Sequence, residues 1–481
     1  MKFKRLLALA VIAAMITGMT PSVVFAEETN TAPDETTVES SEPEEEETSK
    51  SAEESKVEPE ETVPQKSKPE DKTPAEAGED AKEEETEEKV PSRSERVKAK
   101  YDASGTEDNI TWNLENGTLT VSGKGNMPDW NNSKRPGWYD SRDSITKVVV
   151  GKGLTTVGEC AFENCESIKS VSLPSGITKI GKNAFYLCFK AETINIPCSV
   201  TDIGDSAFNA CNSLKSIVLP SGLKTIGEAA FAACDTVTGL TIPGSVKDIK
   251  AYAFNECMGL KTLKIFSGVQ TIGQNAFSGC EELVSVTIPG TVKTIDYLAF
   301  GDCYKLKNVS IGYGVETIGN YVFSDTGLET LTIPDSVTSL GKEILASCTS
   351  LRQINVTEEL HLNFPSAWGS VSDTVIFNHL KPNPMTVKGK TAKVKYRKLR
   401  KKTRTVSASK VLKFSSGTGP YLYVKVSGKK KITINKTTGK VTVKKKLRRG
   451  TYKIKVKVMS VGNANYKSTG WKTVTFKINV R

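Results

Sequence analysis

The stretch Ile203-Gly204-Asp205-Ser206-Ala207-Phe208-Asn209-Ala210-Cys211-Asn212-Ser213-Leu214-Lys215-Ser216-Ile217-Val218-Leu219-Pro220 is one copy of a block that recurs every 23 residues between positions 151 and 356. Phenylalanines mark the period: Phe162, Phe185, Phe208, Phe231, Phe254, Phe277, Phe300 and Phe323 stand 23 apart. Three places after each of the first seven comes a cysteine: Cys165, Cys188, Cys211, Cys234, Cys257, Cys280 and Cys303. A fixed period of this length predicts a solenoid. No single unit can bury its own apolar face, so neighbours must stack.

Within a unit, Val171-Ser172-Leu173 alternates apolar and polar, the period-2 pattern of a half-buried strand. Its counterparts are Ile194/Ile196, Ile217/Leu219, Leu240/Ile242, Leu263/Ile265, Val286/Ile288, Val309/Ile311, Leu331/Ile333 and Ile354/Val356. A proline usually follows (Pro174, Pro197, Pro220, Pro243, Pro289, Pro334) and ends the strand, having no N–H to donate. The Ile-Gly-x-x-Ala-Phe segment is expected to cross the opposite side as a short helical or turn segment. The phenylalanines then form a continuous aromatic spine. The fold class expected is an α/β-type leucine-rich-repeat solenoid of parallel strands, followed by an all-β sandwich and preceded by a disordered acidic spacer.

The in-phase cysteines are expected to be buried thiols, because free Cys behaves as a small buried hydrophobe. Stacked strands lie about 4.8 Å apart. In-register side chains point the same way, so their Cβ atoms are about as far apart as the strands, wider than the ~3.8 Å of a disulfide. No Cys-x-x-Cys pair occurs, which argues against a zinc site. Cys160 and Cys198 lie off the ladder and are expected to be more exposed. Cys348 rejoins it after one 22-residue unit, with Thr326 or its neighbour in the skipped place.

Residues 1–26 carry basic Lys2, Lys4 and Arg5, an apolar run from Leu6 to Met15, and Val24-Phe25-Ala26. That is the pattern of a signal peptide cleaved after Ala26, so an exported protein is expected. No second apolar stretch long enough for a membrane span appears. There is neither a lipoprotein cysteine at the cleavage site nor a Leu-Pro-x-Thr-Gly sorting signal, so covalent anchoring by those routes is not expected. Residues 27–98 are rich in Glu, Pro, Ser, Thr and Lys, with acidic runs at Glu44 to Glu47 and Glu83 to Glu88. Such a composition buries too little apolar area to offset chain entropy and reads as a self-repelling spacer.

Residues 99–150 are expected to cap the solenoid, since a bare end would expose the apolar spine. Trp112, Leu114, Leu119 and Val121 flank Glu115-Asn116-Gly117, a hairpin with its turn at Asn-Gly. Trp130 and Trp138 read as cap aromatics. The repeats fill 151–356, and the pattern decays after Leu351. Residues 357–381, with Trp368 and Phe377, read as a C-terminal cap and linker. Residues 382–481 form a separate domain of six or seven short alternating runs, an immunoglobulin-like sandwich. Its charge is lopsided: from Pro382 onward there are 30 Lys and Arg and no Asp or Glu, which the whole-chain net of +11 conceals.

The block resembles the BspA-like leucine-rich repeats of bacterial surface proteins, over about Asn109 to Val356 and including the entry stretch Gly123-x-Gly125-x-Met127-Pro128. The C-terminal runs Thr438-Gly439-Lys440-Val441-Thr442-Val443 and Gly450-Thr451-Tyr452-x-Ile454-x-Val456 look like basic β-sandwich modules appended to such proteins in Gram-positive bacteria. The resemblance implies a secreted or surface protein that binds host matrix proteins, other bacteria or further ligands.

Catalysis is not expected. Only two histidines occur, His361 and His379, with no nucleophile constellation, phosphate loop or His-x-x-x-His pair. No cofactor and no metal are expected. A binding face is. The outward strand positions Ser172, Asn195, Val218, Thr241, Lys264, Thr287, Ser310, Thr332 and Asn355 form a nearly uncharged strip on the order of 40 Å long, at about 4.8 Å per strand. The strip carries no aromatic platform of the kind glycans favour, which points to a protein ligand. The basic domain offers Lys398, Arg400, Lys401, Lys402, Lys429, Lys430, Lys431, Lys444, Lys445, Lys446, Arg448 and Arg449 to an anionic cell-wall polymer such as teichoic acid. Non-specific nucleic-acid binding would be a side effect of the same charge. Two alternatives stay open: these cations are only a solvated surface or pair with the acidic spacer, and the protein is a structural envelope component without a discrete ligand.

Overall fold

The computed structural model describes residues 102–481. The expected signal peptide, the spacer and the first residues of the cap lie outside them. Residues 103–123 form three antiparallel strands, Ala103–Glu107, Ile110–Glu115 and Thr118–Gly123. The second hairpin turns at Asn116 and Gly117, both with positive φ (48° and 73°), the geometry that makes Asn-Gly the preferred two-residue turn. Thr118–Gly123 then pairs in parallel with Lys147–Val150, which opens the repeat sheet.

The repeats build a parallel β-solenoid of about ten turns at the 23-residue spacing. Most turns contribute a strand to one face, and equivalent residues pair in register: Gly239↔Thr262, Thr262↔Ser285 and Ser285↔Asn308. The carbonyl of the following proline accepts the N–H three residues on, as Pro220 does from Leu223 at 3.0 Å, and this turns the chain toward the far side.

The far side takes the turn alternative, with no helix. It begins as a second sheet of nine two-residue strands from Thr156–Val157 to Ser339–Leu340, each ending on the isoleucine of Ile-Gly or its equivalent. The glycine is needed because successive backbones nearly touch. A Cβ at Gly204 would stand 2.6 Å from the Lys182 nitrogen. Next come two residues of positive φ per turn, four apart, such as Ser206 and Ala210, or Ala229 and Ala233. This conformation is costly for a non-glycine residue and persists only where surroundings over-determine it. Here the determinant is the neighbouring turn: the N–H groups of Ser206, Phe208 and Ala210 each bond to a carbonyl of the next, at Glu228, Ala230 and Ala232, all at 2.8 Å.

Trp138 and the eight phenylalanines form one stack, from Trp138–Phe162 at 5.8 Å to Phe300–Phe323 at 5.9 Å between ring centroids. All nine rings are fully buried. Trp112 and Trp130 meet Trp138 edge-on and close the end, so these aromatics serve the cap. The seven ladder cysteines are buried as free thiols. Six of them donate to the carbonyl of the phenylalanine of the preceding turn, as Cys188 does to Phe162 at 3.2 Å and Cys303 to Phe277 at 3.3 Å. Burial pushes the Cys165, Cys211 and Cys257 thiols up to about 12, which keeps them protonated. Cys198 is exposed and Cys160 half-buried. In the short unit Thr326 holds the cysteine's place and meets Cys348 at 3.1 Å.

Three expectations need correction. No regular strand forms at Ser216 to Leu219, so the face ladder is interrupted between Thr193–Ile194 and Gly239–Ile242. It is interrupted again between Asn308–Ile311 and Thr330–Thr332. That second gap follows the shortened corner Thr326-Gly327-Leu328, which has one residue fewer than Cys303-Tyr304-Lys305-Leu306. Finally, the solenoid does not stop at Val356. Ile376–His379 pairs in parallel with Gln353–Val356 at the same 23-residue offset. Leu345 and then Trp368 succeed Phe323 along the spine, while the helix Glu358–Asn363, capped by the Thr357 hydroxyl, replaces the usual corner.

Residues 382–481 form a β domain with its own core around Val411, Ile432, Val441, Val443, Val456 and Ile478. Its largest sheet has the order Thr391–Val394, Lys472–Val480, Gly450–Ser460, Tyr421–Ser427, the first pair parallel and the others antiparallel.

The spine makes one direct prediction. Phe231→Ala should destabilise the solenoid by about 3–5 kcal/mol, the usual cost of emptying a buried aromatic site. Urea unfolding with an unchanged midpoint would contradict it.

Candidate functional site

The strand face is built from residues that alternate with the core positions of the spine side, so every second side chain points to solvent. Ser172, Asn195, Thr241, Lys264, Thr287 and Ser310 are exposed as expected. Thr241, Lys264, Thr287 and Ser310 stand in one register across four paired strands. Val218 is 73 % exposed, an isolated apolar side chain where the ladder is interrupted. The Lys264 ammonium lies 4.8 Å from the centroid of the Phe266 ring, itself partly exposed.

The last two positions differ from expectation. Thr332 is half-buried and Asn355 is only 2 % exposed. The reason is the next turn together with the C-terminal domain. Asn355 donates to the Thr332 hydroxyl at 3.0 Å and accepts from Asn378 at 2.8 Å. Asn378 also donates to the Ala464 carbonyl at 3.1 Å. The Asp335 carboxylate accepts from the Ser468 N–H at 3.1 Å and from its hydroxyl at 2.8 Å. The Lys381 N–H donates to Asn465, and the Lys467 N–H returns a bond to Lys381, both at 2.8 Å. One loop of the basic domain, from Val461 to Thr469, is thereby fastened to the end of the strand face.

Two depressions result. A shallow groove of ≈ 290 Å³ lies over the second ladder gap, walled by Ser285, Thr287, Asn308, Ser310, Thr330 and Thr332. Beside it, a cleft of ≈ 380 Å³ opens between the solenoid and the loop, with Tyr313, Asp335, Pro420, Asn463 and Tyr466 among its walls. Val309, Ser310 and Thr332 line both. Neither is lined by a lysine or arginine. Residues some 150 positions apart make this cleft, which is why sequence order could not disclose it. Tyr313 and Tyr466 bear no periodic signal.

The basic residues come together elsewhere. Lys398, Arg400 and Lys401 lie on the helix Tyr396–Lys401, with Lys402 just beyond it. Lys429 to Lys431 occupy the turn before Ile432–Ile434, and Lys444 to Lys446 with Arg448 and Arg449 fill the loop before Gly450–Ser460. The Lys444 N–H donates to Lys431 at 2.9 Å, and the Lys431 ammonium to the Lys446 carbonyl at 3.2 Å. The Lys445 N–H reaches the Thr403 hydroxyl at 3.3 Å, and Arg449 lies over the Tyr396 ring at 5.3 Å. The three clusters thus share one end of the domain, and all their charged residues are exposed.

His361 and His379 also meet, Nδ1 to Nε2 at 3.1 Å, with His361 stacked on Phe377 at 3.8 Å. Partial burial and the neighbouring His379 lower the His361 pKa. His361 packs against Trp368 and Phe377 in the C-terminal cap, and His379 is exposed beside it. Among the described residues no group of three or more His, Cys, Asp or Glu is placed to hold a metal ion. No helix among them is long and apolar enough to cross a membrane.

Residues 136–261 and 247–363 match the model of the BspA type leucine rich repeat region, in six copies. Among solved structures, a leucine-rich repeat protein from Bacteroides ovatus ATCC 8483 is 28% identical over 57% of this chain and 78% of its own, with a TM-score of 0.43. One from Eubacterium ventriosum ATCC 27560 is 25% identical over 60% of this chain and 80% of its own, with a TM-score of 0.41. A leucine rich cell surface protein from Faecalibacterium prausnitzii A2-165 is 21% identical over 58% of this chain and 94% of its own, with a TM-score of 0.31. No curated protein sequence matches. The family match is thus to a repeat region.

Proposed function

We propose that the chain is an extracellular or surface-associated binding protein whose solenoid strand face takes a protein partner. The observation that carries this reading is the in-register row Thr241, Lys264, Thr287 and Ser310, exposed, nearly neutral and running into a groove. Solenoids of stacked repeats commonly bind along an extended face of this kind. The family match of residues 136–363 to a BspA-type leucine-rich-repeat region supports it.

In the same reading, the basic end of residues 382–481 holds an anionic cell-wall polymer and so keeps the protein at the surface. No Asp or Glu side chain lies within their own domain to pair with these cations, which leaves that charge available to an external polyanion. Phosphate neutralisation releases counterions, so such retention weakens steeply with salt. An immunoglobulin-like identity for this β domain belongs to the same proposal.

Two outcomes are expected. Full-length protein should bind saturably to at least one member of a panel of host matrix and bacterial surface proteins, and Thr241→Glu/Lys264→Glu/Thr287→Glu should lower that affinity by tenfold or more, about 1.4 kcal/mol. An unchanged affinity would remove the strand face from consideration. Separately, full-length protein should co-sediment with Gram-positive walls that carry teichoic acid and be released as salt is raised. Retention indifferent to salt would sink the polymer reading.

A further inference from the structure

We infer that the cleft between the strand face and the 461–469 loop binds the end of a neutral glycan chain. The groove and the cleft share Val309, Ser310 and Thr332, and the loop closes the far side. A linear ligand lying along the groove therefore terminates in the cleft. At ≈ 380 Å³ the cleft falls within the range of ligand-sized sites.

The lining selects the chemistry. Ser310 and Thr332 bring hydroxyls, Asn463 an amide, and Tyr313 and Tyr466 phenol rings. Tyrosine combines an apolar ring face with a polar edge, suited to a group that has C–H on its faces and hydroxyls at its rim. Asp335 is the one ionisable acid in the wall, and its carboxylate already holds Ser468. No lysine or arginine lines the cleft, although the β domain that forms one of its walls carries 30 of them. A phosphate, sulfate or peptide carboxylate would meet no counter-charge, only the Asp335 carboxylate. A neutral sugar avoids that repulsion.

The loop is held before any ligand arrives. The Asn463 side-chain oxygen accepts from the N–H groups of Asn465 and Tyr466, at 2.9 and 3.1 Å. Fixing the loop in advance lowers the ordering cost of binding. The strand face itself carries no row of aromatic side chains; beside it, Tyr313 from a turn of the solenoid and Tyr466 from a loop of the β domain both stand in the walls of the cleft.

This inference rests on the strand face being a binding surface, and the two can fail separately. Full-length protein would be screened on an array of neutral, sialylated and sulfated oligosaccharides, and a neutral hit measured by saturation-transfer NMR. The expected result is binding to a neutral oligosaccharide that falls about tenfold or more in Tyr466→Ala and Tyr313→Ala, roughly one strong contact. Tyr466→Phe should retain most of it, and Thr241→Glu/Lys264→Glu should leave it intact even where protein binding is lost. Thermal melting of each variant guards against misfolding. Binding to no neutral glycan, to charged glycans alone, or with equal affinity in Tyr466→Phe and Tyr466→Ala would overturn the assignment, as would recovery of peptide ligands alone from a peptide library.

Discussion

Everything in this chain depends on one turn of backbone lying flat against the next. The near contact excludes a Cβ at Gly204, the left-handed residues at Ser206 and Ala210 are tied to the adjacent turn, and the phenylalanine rings stack at about the same repeat. The thiol of each ladder cysteine after the first reaches the carbonyl of the phenylalanine in the preceding turn. None of these interactions exists within a single unit. Stability is therefore a property of neighbouring pairs of turns, as in other repeat arrays. The ends must be closed, which Trp112, Trp130 and Trp138 do at one and Trp368 with His361 and Phe377 at the other.

The sequence made the solenoid legible because its constraint is periodic and each turn repeats the same residues. Phe162 to Phe323, the ladder cysteines, the Asn116-Gly117 hairpin and the skipped place at Thr326 could all be read directly. What escaped is what the period does not encode. The second sheet rests on two residues per turn, too short a run to show alternation. The continuation through Ile376–His379 was hidden because helix Glu358–Asn363 replaces the motif that marks the other turns. Burial of Asn355 and the cleft around Tyr466 arise from a contact between distant segments, and no local pattern signals such a contact.

The chain separates two kinds of surface. The groove has no charged side chain in its walls and the cleft only the Asp335 carboxylate, while the three densest cation clusters of the β domain meet at an end built from Lys398–Lys402, Lys429–Lys431 and Lys444–Arg449. A polyanion would be drawn most strongly to such a concentration of charge, because charge attracts charge over about a Debye length, some 8–10 Å in physiological salt. Binding along the nearly uncharged strand face, as proposed, would rest on shape and short-range polar contacts, which salt affects far less. Exposed ion pairs such as Lys215–Glu192 link successive turns but contribute little to stability, as surface pairs generally do.

The most direct test of this account is native-state amide hydrogen exchange across the solenoid. Pairwise stacking predicts that the N–H groups of Phe185, Phe208, Phe231, Phe254 and Phe277, all bonded to the next turn, exchange with closely similar and high opening free energies, and that protection falls only toward the capped ends. Central turns that open independently, each with its own low protection, would contradict it.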